Sequence, residues 1–331
     1  MTAMTLSDLA TVAAASIGIA VSRPSRVSLP AGCPVSAFMC VATLPAGCLS
    51  PPGPLPRRTG AGSALDTDTA RDLCFLEGIE RFSLQYRDGD PDEVLAADMP
   101  GCRAVSLPAW RLRLGHPAYL EGAPLADSRG CAAGAALADA ALRGLMELAE
   151  QDAVDAWHRG EVQFRPMGAT VSDRPLFGLL AWVEEYGLRL RLLRHRHPSG
   201  AVVCIAICSD FSAERPAIGS AAGLAVAPVG LHACIEAVVA WFNLDSIERN
   251  GGVVDDTTPE TRLAIETWRG VRPLPPIAGA GNEPVPAMPA PRDPEAAFAE
   301  AVAAWGIEAA VFDLSRPETG IVTARVVRLE G

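Results

Sequence analysis

Residues 232–242 read H-A-C-I-E-A-V-V-A-W-F, a helical run in which one carboxylate, Glu236, is flanked on both sides by apolar residues. A carboxylate carried into such surroundings costs free energy unless a partner meets it there. Two further helical segments also carry acidic residues at unusual places. The first is expected from about Asp68 to Tyr86: Ala70, Leu73, Leu76, Ile79, Glu80 and Ser83 follow helical spacing, and Asp66 or Thr67 can cap it. It bears Glu77 and Glu80, with Arg81 directly after. The second, about Ala136 to Arg159, bears Glu147 and Glu150. A spacing of three residues sets each pair on one helix face. Like charges so placed repel unless a cation sits between them, and Mg²⁺ takes carboxylate oxygens together with a nucleotide's phosphates. Solvated helix faces are the plainer alternative for each helix taken alone.

Charge narrows the partners. All 28 basic residues are Arg, against 39 Asp and Glu, and the formal net charge is -11. No basic stripe is available for nucleic acid or for an anionic membrane. Without Lys there is no Schiff base, no lysine base and no Walker-type phosphate loop. The apolar run Leu9 to Val21 is too short and weak to span a bilayer, and no basic region precedes it as in a signal peptide. The nine cysteines are irregularly spaced with no C-x-x-C pair; V-V-C-I-A-I-C around Cys204 and Cys208 reads as a buried strand. Thiols of this kind fit a reducing cytoplasm.

The remaining elements follow from composition and punctuation. A helix and a short strand are expected within residues 1–35 and a strand over Ser36 to Ala42. Residues 50–63 read as a loop ending in R-R-T-G-A-G-S, which contains Ser63. Short strands are expected near Val105 and Tyr119, and D-S-R-G-C-A-A-G at 127–134 reads as a loop of small residues. A third helix follows at 175–187, then strands at 188–194 and 201–208 paired through H-P-S-G. The apolar run around Glu236 is expected as a fourth helix, Val229 to Ile247. After it come a Pro-rich exposed linker at 272–294, a helix at 295–304 and strands at Ala309 to Leu314 and Val322 to Leu329. No internal repeat of fixed period is visible. The class is α+β, with mixed sheets packed against helices and one domain over 1–331. Ser63 and Ser128 lack a G-x-S-x-G context. Cys131 could be a nucleophile at a helix start or a small buried thiol. His116, His195 and His197 read as loop or solvated turn residues, and Trp182, Trp241 and Trp305 as core.

Taken in order, these segments resemble the YcaO family. C-F-L-E-G-I-E-R at 74–81 is similar to its S-x-x-E-x-x-E-R, L-M-E-L-A-E-Q-D-A at 145–153 to L-x-E-x-x-E-R-D-A, and H-A-C-I-E-A at 232–237 to R-A-x-x-E-A. D-S-R-G-C-A-A-G at 127–134 and G-I-E-A-A-V-F-D-L-S-R-P at 306–317 also match, so the resemblance spans about residues 20 to 330. It implies an ATP site between helices, with Glu77, Glu80, Glu147 and Glu236 holding Mg²⁺ and phosphates. Glu150 and Arg81 would support them, and Cys74, His232 and Ser63 would lie beside the nucleotide. It implies ATP-dependent activation of a peptide-backbone amide, giving an azoline or a thioamide, by a cytoplasmic homodimer served by an E1-like or TfuA-like partner. A degenerate fold serving as a scaffold subunit is the alternative.

The chain departs from the pattern at Cys74 (usually Ser), Ala61 (often Lys), Gln151 (usually Arg) and His232 (Arg). A thiol is a poor ligand for hard Mg²⁺, and loss of an arginine removes a bidentate phosphate fork. Arg57 and Arg58 are near enough in sequence to compensate for Ala61. The chain stops at Gly331, without the Pro-rich tail of azoline-forming relatives, which weakens the expectation of cyclodehydration.

Overall fold

The computed structural model describes residues 8–9, 11–12, 17–43, 58–124, 126–167, 174–251, 259–277 and 293–329. Arg57, Cys48 and most of the Pro-rich linker lie outside the described residues, as does much of the expected N-terminal helix.

In chain order the strands and helices are β1 (Ser25–Arg26), β2 (Ser36–Val41), β3 (Thr59–Ala64), α1 (Thr67–Ser83), β4 (Glu93–Leu95), β5 (Ser106–Pro108), α2 (Ala109–Leu112), β6 (Cys131–Gly134), α3 (Leu137–His158), β7 (Arg165–Pro166), α4 (Arg174–Glu185), β8 (Leu188–Arg196), β9 (Val202–Asp210), β10 (Ala217–Gly223), α5 (Val226–Arg249), α6 (Pro259–Trp268), α7 (Pro294–Trp305), β11 (Glu308–Asp313) and β12 (Val322–Leu329). They form antiparallel sheets ordered β1-β2-β3, β10-β9-β8-β7 and β11-β12-β6, plus the hairpin β4-β5. The class is the expected α+β.

The unbroken apolar run of β9 has a simple cause. Cys204, Ala206 and Cys208 join the core under α5 with Ala233 and Ala237, whereas Val203, Ile205 and Ile207 join Trp157, Ala153 and Phe164 on the opposite face. A strand covered on both sides has no face to give to water, so its residues do not alternate. Register with β8 runs from Leu188 opposite Asp210 to Arg196 opposite Val202, the hairpin expected from H-P-S-G. By length and composition α5 could cross a membrane, but here it packs on β9 and β10 as a core helix.

Three stretches of small residues expected as loops or left unassigned are strands: T-G-A-G-S-A (β3), C-A-A-G (β6) and A-I-G-S-A-A-G (β10). Glycine and alanine have little intrinsic strand preference. Their smallness serves packing, because a helix lies directly on each strand. A Cβ on Gly62 would come within 2.2 Å of the Cys74 nitrogen and 2.3 Å of the Ala70 carbonyl oxygen in α1. On Gly219 it would lie 2.3 Å from both the Ala233 oxygen and the Ala237 nitrogen in α5.

Other expectations change too. Tyr119 sits in a 3₁₀ turn, Pro117–Glu121, opened by Pro117 and capped by His116, whose Nδ1 accepts from the Ala118 N–H at 3.1 Å. His197 is not a solvated turn residue. It is 3% exposed, 2.9 Å from Ser199 Oγ and 3.3 Å from Asp152, and packs edge-on to Trp305. Helix α6 had no counterpart in the sequence reading. Arg325 of β12 steadies the approach to β6, with contacts of 2.9 Å to the Leu112 carbonyl, 3.0 Å to the Asp127 carbonyl and 3.1 Å to the Asp127 carboxylate.

Gly62→Ala is expected to lower stability by about 1–3 kcal/mol in a urea melt, because the helix must lift off its strand. Gly178→Ala on α4, where an added Cβ meets nothing, should stabilise by up to about 1 kcal/mol. Equal effects at both positions would contradict the contact.

Candidate functional site

The three glutamate-bearing helices converge. Helix α1 starts at Asp66, whose side chain accepts from the Thr69 N–H at 2.8 Å, as the cap pattern predicts. Eleven residues on, the Glu77 carboxylate accepts from the Ala61 N–H of β3 at 2.8 Å and from Arg81 Nη2 at 2.9 Å. Arg81 Nη1 is 3.9 Å from Glu80. Burial works against the Arg81 charge, but Glu80, Glu77 and Glu147 outweigh it and hold the guanidinium more firmly protonated.

Glu147 of α3 faces this group. Burial drives its carboxyl well above the usual range, the Glu80 charge adds to that, and Arg81 offsets part of it. One turn along, Glu150 is pushed up to about 7 by burial and by Glu236, against the pull of the Ser220 hydroxyl. Ser220 Oγ donates to Glu150 at 2.6 Å, and the Ser220 N–H donates to Glu236 at 3.4 Å. Glu236 is 3.2 Å from His232 Nε2, both side chains being 42% exposed. That hydrogen bond raises the His232 pKa against the partial desolvation of the ring. Glu236 is thus not sealed among apolar residues as its neighbours in sequence suggested: its partly exposed side chain is met by an imidazole one turn back and a strand N–H.

The structure therefore brings together Glu77, Glu80, Arg81, Glu147, Glu150, Glu236 and His232. Two expected site residues do not join them. Cys74 is fully buried between α1 and its sheet, its thiol pointing to the Gly60 carbonyl at 3.6 Å, with Cys40 beside it. Ser63 is on the face of β3 turned from α1, since Gly60 and Gly62 face the helix and side chains alternate along a strand. Arg58 stands at the foot of β3, its carbonyl paired with the Ala42 N–H. Cys131 is a strand residue, 2% exposed, and burial raises its thiol pKa, so it is no activated nucleophile. Ser220 and the Ala61 N–H were not foreseen. The only sign of Ser220 was its place in the small-residue run G-S-A-A-G.

A cavity of about 580 Å³ lies apart from this cluster, with Arg215, Arg269, Arg272, Glu248 and Trp268 in its walls. It holds no crowded carboxylates, so the perturbed groups and not the cavity mark the site.

The YcaO family model, described as a cyclodehydratase binding ATP and Mg²⁺, matches residues 94–328. The chain belongs to the YcaO family. No curated protein matches it in sequence. Among solved structures, YcaO from Methanopyrus kandleri bound with AMPPCP and Mg²⁺ aligns at TM-score 0.71 and 17% identity, over 98% of this chain and 90% of that one. A heterocyclase in complex with substrate and cofactor gives TM-score 0.71 and 17% identity over 93% of this chain and 49% of that one, so this chain spans about half its length. A chain of the E. coli microcin synthetase McbBCD complex gives TM-score 0.64 at 11% identity, over 92% and 87%. At such identities these likenesses establish the fold.

The donors fit what a YcaO protein binds. Five carboxylates meet one arginine and one histidine, a surplus of hard oxygen ligands suited to a divalent cation. Nε and Nη1 of Arg81 are buried without a hydrogen-bond acceptor, donors to spare for a phosphate oxygen. Among the described residues no three His, Cys, Asp or Glu side chains close a metal cage by themselves.

Burial disfavours ionised Glu150, so the folded protein binds this proton more readily than the unfolded chain does. Its contribution is therefore fully present below the ordinary carboxylate pKa, falls as pH rises from there, and is lost once pH passes about 7. Glu150→Gln should gain little stability over wild type near pH 5 and progressively more up to about pH 7, by less than about 1.4 kcal/mol per pH unit, and the gain should level off above that. A gain independent of pH would contradict the assignment.

Proposed function

We propose that this YcaO chain is an ATP- and Mg²⁺-dependent enzyme that activates a backbone amide of a peptide or protein. The observation that carries the reading is the convergence of Glu77, Glu80, Glu147, Glu150 and Glu236 from three helices around Arg81 and His232.

Glu77, Glu80, Glu147 and Glu236 would hold Mg²⁺ through their carboxylate oxygens. Glu77 is pre-oriented for this by the Ala61 N–H and Arg81. Arg81, held by Glu77, would offer its remaining N–H groups to a phosphate oxygen, and His232, whose proton affinity the Glu236 hydrogen bond raises, would add positive charge when protonated. Phosphoryl transfer needs such positioning and charge neutralisation more than covalent help. Bound there, ATP with Mg²⁺ supplies a phosphoryl group to the amide oxygen once a nucleophile has added to the amide carbon. That oxygen then leaves in phosphate, ATP having become ADP. A Cys, Ser or Thr side chain of the substrate as nucleophile gives an azoline, external sulfide a thioamide, and an amine an amidine.

A partner protein, E1-like or TfuA-like, would deliver the substrate to a homodimer of this chain in the cytoplasm. The heterocyclase is about twice this length, and the microcin synthetase relative is part of a complex. A second reading, a scaffold subunit without ATP turnover, is favoured by the withdrawal of Cys74 into the sheet and by His232 in place of an arginine.

A thermal melt separates the two. With millimolar ATP and Mg²⁺ the wild type should gain stability, about 2.7 kcal/mol at a hundredfold excess over Kd, and Glu236→Gln should lose the gain. No rise in the wild type would sink the enzymatic reading in favour of the scaffold.

A further inference from the structure

The three glutamate-bearing helices are one structural unit used three times. Each follows an edge strand of small residues: β3, β6 or β10. The residues that start the helices are Asp66, Ala136 and Ala225. Six residues before each stands a glycine, Gly60, Gly130 or Gly219, and eleven residues after each stands Glu77, Glu147 or Glu236. Strand meets helix at equivalent places. On the helix side, an added Cβ would lie 2.4 Å from the Gly78 nitrogen for Gly60, 2.3 Å from the Ala237 nitrogen for Gly219, and 3.0 Å from the Leu148 side chain for Gly130, which stands just before β6 and would meet the Val326 oxygen of β12 first, at 2.2 Å. All three contacted residues are the twelfth beyond their caps. Each helix also packs on the strand of the next unit, α1 on β6, α3 on β10 and α5 on β3, so the three units close into a ring.

The ring has three junctions. At the first, Glu80 of α1 faces Glu147 of α3; at the second, Glu150 of α3 faces Glu236 of α5. In α5 the place of Glu80 and Glu150 is taken by Val239, so the third junction has no such carboxylate. Arg81 ties the first junction, bonded to Glu77 and drawn to Glu80 and Glu147. The equivalent residue on α3 is the neutral Gln151. At the second junction Ser220 reaches both sides, hydroxyl to Glu150 and N–H to Glu236. Its counterpart in the first unit, Ala61, gives only the N–H, to Glu77.

We infer that Ser220 is a positioning residue of the nucleotide site. Its hydroxyl sets Glu150 against Glu236 at the second junction, as Arg81 sets the carboxylates at the first, and the ligand so served is a polyphosphate with its divalent cation. The inference rests on the nucleotide reading above.

Calorimetric titration of AMPPCP with Mg²⁺ into wild type, Ser220→Ala and Ser220→Thr tests it, beside melts of the same ligand-free proteins. A hydrogen bond to a charged group is lost in Ser220→Ala, so affinity should fall about tenfold. The ligand-free protein already makes this bond, so its melting temperature should fall modestly in Ser220→Ala, and Ser220→Thr, which keeps the hydroxyl, should melt and bind like wild type. If wild type binds and Ser220→Ala binds equally well, the inference fails and the nucleotide reading stands. A loss of affinity that tracks a large fall in melting temperature, without rescue by Thr, also overturns it. If wild type itself binds nothing, the nucleotide reading fails first and takes the inference with it.

Discussion

The site depends on backbone lying against backbone. Helices α1 and α5 rest on β3 and β10 at distances that leave no room for a Cβ at Gly62 or Gly219. Only at that separation can Glu77 reach the outward N–H of Ala61 and Glu236 that of Ser220. Both donors stand on edge strands, where alternate N–H groups face away from the sheet and need an acceptor. A helix carboxylate supplies it. The contact that packs the helix also aims the glutamate, so fold and site share one constraint.

Crowded carboxylates are costly without a ligand. Glu147 is driven far from its ordinary titration range, and Glu150 is pushed up to about 7. Arg81 and His232 offset only part of the negative charge. An arrangement that works against the empty fold and favours a bound cation is common where a protein gives up stability for function. Here the opposing charge comes from the buried Arg81 beside Glu77 and Glu80, with His232 beside Glu236 more easily protonated than a free imidazole.

Much of this was legible in the sequence, and for physical reasons. The long helices announce themselves by spacing and, in α1, by the Asp66 cap. The β8–β9 hairpin follows from two apolar runs around a turn. The glutamates stood out because apolar neighbours made Glu236 hard to place in water. Strands β3, β6 and β10 were hidden because tertiary contact selects glycine and alanine there against their propensity. Cys74 aligned with a site motif, yet its side chain faces the sheet, and periodicity alone did not say which way that helix face turned. The recurrence of the strand–helix unit escaped notice because its copies are unequally spaced, with caps at Asp66, Ala136 and Ala225, and share little beyond a glycine and a glutamate. Ser220 could be recognised only once β10 was known to be an edge strand beside α3 and α5.

The central claim is that carboxylates from three separate helices form one cation site completed by a nucleotide. Electron paramagnetic resonance of Mn²⁺, substituted for Mg²⁺, reads this directly, because the signal of the free aqua ion falls as the ion is bound. With wild type and AMPPCP the signal should fall well below that of the ion and nucleotide without protein, and with Glu147→Gln it should remain close to that baseline. Equal uptake by both proteins, or none by the wild type, would contradict the claim.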